Sequence, residues 1–395
     1  MLRCSISVIT IALLLQVLIA ARAPTQSCPV GSTTQLSYRS LAPIDDIVSD
    51  EIKAGRIPGA VIEIGQRGGI IYRRAFGDRE IQPERRPMML DTIFDLASLT
   101  KVVATSVAIM QLHENHKIDL DAPVTRYWPA FGRNGKGTIP VRELLTHYSG
   151  LPADLNLAPR WVGYFTALRM IEAEKPIDPP GARYRYSDIN FEALGELVRR
   201  VSGLPLDIYC ERYIFNPLGI VDTFFKPSAA ERARIAPTAY AGGRLYLGKV
   251  NDPTSERMGG VAGHAGLFST ADDLALFAEM MLNRGGWHRI RVLSERSVDE
   301  MTSVESPGSA RHLRGLGWDL AAPFCSDRNR TAETGSYGHT GFTGTMIWID
   351  PASKSFVIIL TNRTYPGATG DAGPLRQRVV DLISNSLGLG SKPGT

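Results

Sequence analysis

The chain has 395 residues, of which 44% are hydrophobic, and its formal net charge at pH 7 is only +4. This composition is ordinary for a soluble globular protein. So small a charge gives no reason to expect a nucleic acid or a membrane surface as partner.

The first 23 residues indicate a secretory signal. Arg3 is followed by an apolar stretch over residues 8–20, which is too short for a membrane span. We therefore expect an exported protein, periplasmic or extracellular, with no stable membrane span after cleavage; an uncleaved anchor is the alternative. Cleavage removes one of the four cysteines, and the remaining three exclude a disulfide scaffold. Residues 24–41 are polar and rich in serine and threonine, which predicts a flexible leader.

Strand-like segments lie at both ends of the mature chain, and helical segments fill its middle. The apolar spacing predicts helices over residues 44–54, 98–112, 141–146, 164–173, 191–201, 206–214, 270–282 and 375–387. It predicts strands over residues 59–66, 70–76, 317–320, 345–350 and 355–361. Because strands and helices do not alternate regularly, a doubly wound parallel sheet is unlikely to form from this order.

The fold class that fits this order is α+β, with an antiparallel sheet flanked by helices in an α/β sandwich, together with a mostly helical domain. We expect one domain over residues 42–389. Its sheet part is assigned to about 42–115 and 286–389, and its helical part to about 116–285.

The tetrapeptide Ser-Leu-Thr-Lys at positions 98–101 opens the helix predicted up to residue 112. Residues three apart on a helix share a face, so the Ser98 hydroxyl and the Lys101 amine should lie side by side. Unpaired N–H groups and the helix dipole favour negative charge there, which suits a serine whose product is an oxyanion. The simpler interpretation is a serine cap followed by a surface lysine.

Two further motifs follow in the chain. Tyr186-Ser187-Asp188 comes after a Pro-Pro-Gly turn, and Gly338-His339-Thr340-Gly341 precedes a strand-like run. With these three elements in order, the sequence resembles the penicillin-recognising serine hydrolases, in the branch of class C β-lactamases, D-Ala-D-Ala carboxypeptidases and their esterase and aminopeptidase relatives. The resemblance extends from about residue 45 to about residue 387. It also includes residues 144–152, 216–219 and 263–270.

The resemblance implies a β-lactamase/transpeptidase-like fold and roles for the motif residues. Ser98 would be the nucleophile, and Tyr186 together with Lys101 would act as the base. The backbone N–H groups of Phe342 and Ser98 would form the oxyanion hole. From the residues alone, either Lys101 or Tyr186 could take the serine proton, because both are basic groups whose pKa depends on their neighbours.

Two positions depart from the usual pattern of this family. Asp188 stands where many members have asparagine, so it could pair with Lys101, bind a substrate amine or merely cap the following helix. His339 stands where most β-lactamases have lysine, and a partly charged histidine should hold a substrate carboxylate less firmly. Thr340 and Gly341 complete this substrate-binding strand, where a glycine lets a substrate backbone approach closely.

No cofactor or metal is expected. His113 and His116 are three residues apart at a predicted helix end, which indicates a solvated terminus and not a zinc site. His147 and His264 lie in family-like segments and are interpreted as structural. No serine has the Gly-x-Ser-x-Gly context that an α/β-hydrolase requires.

The expected function is that of an exported active-site-serine hydrolase that forms an acyl-enzyme. Its partner would be a small-molecule or peptide substrate, namely a D-Ala-type cell-wall peptide or a β-lactam. A carboxylesterase of the same fold is the first alternative, and a non-catalytic cell-wall-binding protein is the second. The sequence leaves the oligomeric state open.

Overall fold

The computed structural model describes residues 34–388, apart from positions 309, 311 and 368 and the segment 321–334. The predicted signal and most of the predicted leader therefore lie outside the described residues. The described end of the predicted leader packs against the rest of the chain. Leu36 and Leu41 are buried in the core, and the Leu36 N–H donates to the Gln66 side chain at 2.8 Å. Apolar packing at these two positions outweighs the polar composition of the segment.

The central sheet has six antiparallel strands in the order β11-β12-β13-β1-β2-β3, so strands from both ends of the chain meet in it. The strands are β1 (Gly59–Gln66), β2 (Gly69–Glu80), β3 (Arg86–Pro87), β11 (Tyr337–Thr340), β12 (Met346–Asp350) and β13 (Ser355–Thr361). The strands predicted over residues 59–66, 70–76, 345–350 and 355–361 are thus confirmed. β11 is an edge strand of this sheet.

Helices cover both faces of the sheet. Successive side chains of β12 point to opposite faces. Met346 and Trp348 therefore pack in one apolar cluster with helices α2 (Ile44–Lys53) and α12 (Gly373–Ser386). Ile347 and Ile349 pack in a larger cluster with helices α3 (Ser106–Glu114), α6 (Asp188–Ser202) and α10 (Ala271–Leu282). This arrangement confirms the α+β class with a sheet between helical layers.

The helices are α1 (Tyr38–Leu41), α2 (Ile44–Lys53), α3 (Ser106–Glu114), α4 (Val141–Leu145), α5 (Tyr164–Ala173), α6 (Asp188–Ser202), α7 (Leu206–Cys210), α8 (Asn216–Leu218), α9 (Pro253–Arg257), α10 (Ala271–Leu282), α11 (Glu295–Thr302) and α12 (Gly373–Ser386). No helix in the described part of the chain is long and apolar enough to cross a membrane. The predicted strand over residues 317–320 is wrong. Gly317 has a φ of +94°, so the chain turns there and Asp319 makes only isolated bridges, to Arg314 and Gly338.

A small sheet brings the middle of the chain to the tetrapeptide at 98–101. It contains β4 (Phe94–Asp95), β8 (Leu267–Ser269) and β5 (Phe224–Phe225), with β8 in the centre. Four more short strands complete the described set, namely β6 (Ala239–Ala241), β7 (Arg244–Tyr246), β9 (Gly286–Trp287) and β10 (Ile290–Arg291). Because β4 ends just before Ser98, its pairing with β8 places residues 263–266 beside the serine. The division into a sheet part and a helical part stays a prediction.

Candidate active site

Ser98 lies in a tight turn and not in the regular first turn of an α-helix. Ala97–Leu99 form a 3-10 turn, Lys101–Thr105 form a π-helical turn, and α3 begins only at Ser106. Ala97 has a φ of +48°, and its N–H donates to the Asp95 carboxylate at 2.9 Å. The buried Asp95 also accepts the N–H of Asn251 at 2.6 Å, so the turn is fixed from two sides. The Ser98 side chain itself remains partly accessible.

Lys101 is completely buried beneath the serine. Its Nζ donates to Ser98 Oγ at 3.0 Å and to the His264 carbonyl at 3.2 Å, and it lies 2.6 Å from Asp188 Oδ1. Burial alone would lower the pKa of Lys101, but the Asp188 charge helps to outweigh it and raises that pKa above its ordinary value. The neighbour of Lys101 is thus an acidic group, which favours its ammonium form.

Tyr186 completes the group around Lys101. The Lys101 Nζ lies 5.0 Å from the centroid of its ring, and the His147 ring stacks on the tyrosine with 4.4 Å between centroids. The His147 Nδ1 accepts the backbone N–H of Ser187 at 3.1 Å. Burial holds the pKa of His147 well below its ordinary value, so its imidazole is neutral. His147 thus packs directly against Tyr186, whereas the sequence had indicated only a structural role for His147.

Asp188 pairs with Lys101, which was one of the three roles considered for it. It is also the first residue of α6, but its own backbone N–H donates to the Ala153 carbonyl at 2.7 Å. The Asp188 carboxylate neutralises the charge of the buried Lys101 ammonium. Burial and the neighbouring Asp188 raise the pKa of Asp154 to about 6, so a second carboxyl group lies against the first.

A buried charge network continues behind Lys101. His264 Nε2 lies 2.8 Å from Asp252 Oδ1, and His264 Nδ1 lies 3.7 Å from Glu192 Oε1. Burial would lower the pKa of His264, but Asp252 raises it to about 9. Burial raises the pKa of Glu192 to about 8, so this acid is protonated at neutral pH. The sequence analysis did not identify Asp252 or Glu192. The Gly-His-Ala-Gly segment around His264 was the only sequence feature that pointed to this network.

Asp188, Asp252 and His264 offer ligand atoms within 4.8 Å of one another, which is a spacing that a metal ion could use. These carboxylates are already paired with two cations of the chain: Asp188 with the Lys101 ammonium and Asp252 with the His264 imidazolium. A divalent ion would have to displace both positive charges, so the donor set does not fit a metal well.

His339 is neutral, in contrast to the expected partly charged clamp. It is only 5% exposed, and its Nδ1 lies 2.8 Å from the Thr340 carbonyl, to which it must donate. Burial, together with the charges of Arg314 and Lys101, holds the pKa of His339 well below its ordinary value. The ring faces Tyr186 with 6.1 Å between centroids. His339 therefore belongs to the site as an uncharged group.

Gly341 is required by the protein's own backbone. A Cβ at this position would lie 2.4 Å from the Leu96 carbonyl and 2.1 Å from Thr345 Oγ1. Thr345 Oγ1 also donates to that carbonyl at 2.9 Å, and Thr343 Oγ1 donates to the Asp95 carbonyl at 2.7 Å. The end of β11 is thereby joined to the turn that carries Ser98, two residues after Leu96.

Beyond Gly341 the chain is open to solvent. Thr340 is exposed, and the Phe342 side chain is 62% exposed. Within the described residues, the Phe342 N–H donates to no other group. The structure thus brings Ser98, Lys101, Tyr186, Asp188 and His339 together, beside the Thr340–Phe342 segment.

The beta-lactamase family model matches residues 44–381. The chain is 33% identical over 379 residues to the N-acetylmuramyl-L-alanine amidase of Bacillus subtilis (strain 168), covering 85% of this chain and 83% of the relative. It is 31% identical over 385 residues to a putative D-alanyl-D-alanine carboxypeptidase of Escherichia coli (strain K12), covering 88% of this chain and 87% of the relative.

Solved structures share the fold at lower identity. A penicillin-binding protein homologue from Caulobacter crescentus has a TM-score of 0.72 at 20% identity, covering 89% of this chain and 99% of its own. A family VIII carboxylesterase has a TM-score of 0.70 at 21% identity, covering 89% and 99%. The fold is therefore β-lactamase/transpeptidase-like. From the family match and the two curated relatives together, the chain belongs to the beta-lactamase family and is a serine hydrolase related to the β-lactamases.

Proposed function

We propose that this protein is a serine amidase that cleaves amide bonds of cell-wall peptides through an acyl-enzyme at Ser98. The observation that carries the proposal is the 3.0 Å contact between Lys101 Nζ and Ser98 Oγ, in a pocket where Tyr186 and Asp188 fix the lysine. A nucleophilic serine needs a neighbouring base and an oriented proton path, and these groups supply both.

Tyr186 is the proposed proton acceptor. Lys101 remains an ammonium because Asp188 stabilises its charge, so it is a poor base in the free enzyme. In the proposed reaction the Tyr186 oxygen, beside this ammonium, takes the Ser98 proton as the hydroxyl attacks. The same proton would then pass to the leaving amine, and Tyr186 would next accept a proton from the water that hydrolyses the acyl-enzyme.

The backbone N–H groups of Phe342 and Ser98 are the proposed oxyanion hole. The Phe342 N–H has no acceptor among the described residues, and the hydrogen bond from Thr345 Oγ1 to the Leu96 carbonyl holds its segment against the serine turn. Donors that are fixed before the reaction stabilise the tetrahedral intermediate without reorganisation.

The substrate is proposed to be the amide between a muramyl lactyl group and L-alanine, or a closely related cell-wall amide. One relative at 33% identity is named for that reaction. The predicted secretory signal over residues 1–23 supports export to the compartment in which such a substrate occurs.

The test is a substrate panel with the purified mature protein. N-acetylmuramyl-L-alanine, an acyl-D-Ala-D-Ala peptide, benzylpenicillin and p-nitrophenyl butyrate would be incubated with the parent, Ser98→Ala and Ser49→Ala, a helix-surface control. We expect release of L-alanine by the parent and by Ser49→Ala, with none by Ser98→Ala. Cleavage of the D-Ala peptide or of penicillin alone would replace the proposed substrate, ester cleavage alone would identify an esterase, and no turnover would favour a binding protein.

A further inference from the structure

A half-buried arginine contacts the back of the segment that carries the Phe342 N–H. Arg376 lies in the first turns of α12, and its Nη2 donates to the Gly341 carbonyl at 2.8 Å and to the Thr345 carbonyl at 2.9 Å. It thus bridges the two ends of the turn between β11 and β12.

The Gly341 carbonyl and the Phe342 N–H belong to one planar peptide unit. Fixing the carbonyl direction therefore fixes the direction of the N–H. The Gly341 carbonyl also accepts the Gly344 N–H at 3.1 Å, so the peptide is held by a charged and a neutral donor. Charge-assisted hydrogen bonds are the stronger kind, and a hydrogen bond to a carbonyl polarises the N–H of the same peptide.

Arg376 has no carboxylate partner that would explain its position. No ion pair involves it among the described residues, and its Nε is buried without a hydrogen-bond acceptor there. Burial and the charge of Arg363 lower the pKa of Arg376 to about 10, so it is still a cation at neutral pH. Among the described residues, the acceptors of its side-chain hydrogen bonds are the two carbonyls of the turn.

We propose that Arg376 is a positioning residue for the oxyanion hole: it orients and polarises the Phe342 N–H through the Gly341 carbonyl. This inference rests on the proposed function, because it requires a reaction with an oxyanion at Ser98. It assigns to α12 a part in catalysis that the three sequence motifs do not contain.

Arg363 offers an internal comparison. Its Nε donates to the Phe342 carbonyl at 2.6 Å, and its guanidinium lies 4.4 Å from the centroid of the Phe342 ring. That carbonyl belongs to the following peptide unit, so Arg363 holds the ring and not the N–H. Its removal should therefore affect substrate affinity more than the chemical step.

The experiment uses Arg376→Met, Arg376→Lys and Arg376→Gln, with Arg378→Met as the matched control. Arg378 lies on the same helix but pairs with Asp50 and Glu51 away from the turn. Each variant is measured in two assays. The first gives kcat and KM on N-acetylmuramyl-L-alanine, and the second gives the second-order rate constant of labelling by a fluorophosphonate. The labelling reaction builds negative charge at the same hole but does not depend on the natural substrate.

We expect Arg376→Met to reduce kcat and the labelling rate about 10- to 100-fold with KM within about threefold, because loss of a direct oxyanion donor costs about 10²–10³. Arg376→Lys should recover part of the loss, since it keeps a charged donor. The rates of Arg376→Gln should lie between those of the methionine and lysine variants. Arg378→Met should match the parent in both rates.

An unchanged labelling rate in folded Arg376→Met, or a lysine variant no better than methionine, would overturn the inference. A large rise in KM with kcat preserved would also overturn it. Failure of the proposed function has a different signature: the parent would not hydrolyse the muramyl substrate, while the dependence of labelling on Arg376 would remain measurable.

Discussion

Replacement of Asp188 by asparagine removes the carboxylate that neutralises the buried Lys101 ammonium. The two atoms are 2.6 Å apart, so at an effective dielectric constant of about 20 their gross attraction is about 6 kcal/mol. Desolvation offsets part of this, and breaking a buried pair by removing one partner costs about 3–5 kcal/mol. The Asp188 side chain is 18% exposed and asparagine keeps an acceptor oxygen. We therefore expect the free energy of unfolding at pH 7 to fall by about 3 kcal/mol.

The loss should depend on pH in a defined direction. In the parent, the raised pKa of Lys101 gives stability that is present below the unfolded pKa of about 10.5 and is lost only at higher pH. In the variant, burial without the carboxylate lowers the folded pKa. The penalty is then full at pH below that lowered value and shrinks as pH rises toward about 10.5. The gap between parent and variant should therefore narrow from pH 7 to pH 9.5.

The assay is urea unfolding of the parent, Asp188→Asn, Lys101→Met and the double variant. The pair coupling from this cycle should be about 3 kcal/mol. Asp207→Asn is the matched control, because Asp207 also lies in a first helical turn but pairs with a half-exposed Lys226 at 3.1 Å. Its loss should be below about 1 kcal/mol. A coupling between Asp188 and Lys101 below about 1 kcal/mol, or a gap that widens with pH, would refute the reasoning.

Three further results are expected. Tyr186→Phe should lower the rate of Ser98 acylation by about 10²- to 10⁴-fold with little change in Tm, because the His147 stacking survives and only the proton acceptor is lost; a near-parental labelling rate would contradict this role. Gly341→Ala should cost about 1–3 kcal/mol of stability and most activity, since its Cβ meets a backbone carbonyl at 2.4 Å; calorimetry and kcat would check both. Glu192→Gln should gain stability relative to the parent as pH rises from about 4.5 to 8. The buried acid of the parent has its pKa raised to about 8 and loses stability over that range, so parallel Tm curves would exclude the effect.

The local sequence was sufficient for the motif that defines the site and for most of the fold. The three-residue spacing of Ser98 and Lys101 gave a contact of 3.0 Å, although the backbone between them is a 3-10 turn and a π-helical turn. That local geometry follows from the Asp95 carboxylate, which binds Asn251 from a distant loop. Periodicity in one segment carries no information about such a contact.

The charges within the site could not be predicted in the same way. A histidine next to a threonine in the sequence gave no sign that His339 would be buried and neutral. The direction of the Lys101 pKa shift depended on Asp188, for which pairing with Lys101 was only one of three roles considered. Asp252 and Glu192 reach His264 from separate elements, so their role appeared only when the chain was folded.

The central claim is that Ser98 is the nucleophile of an acyl-enzyme hydrolase. The most direct measurement is intact-mass analysis of the mature protein after treatment with a fluorophosphonate, followed by peptide mapping, with Ser98→Ala and Ser49→Ala alongside. The account predicts one adduct per chain on Ser98, present in Ser49→Ala and absent in Ser98→Ala. An adduct that persists in Ser98→Ala, or no adduct in the folded parent, would contradict it.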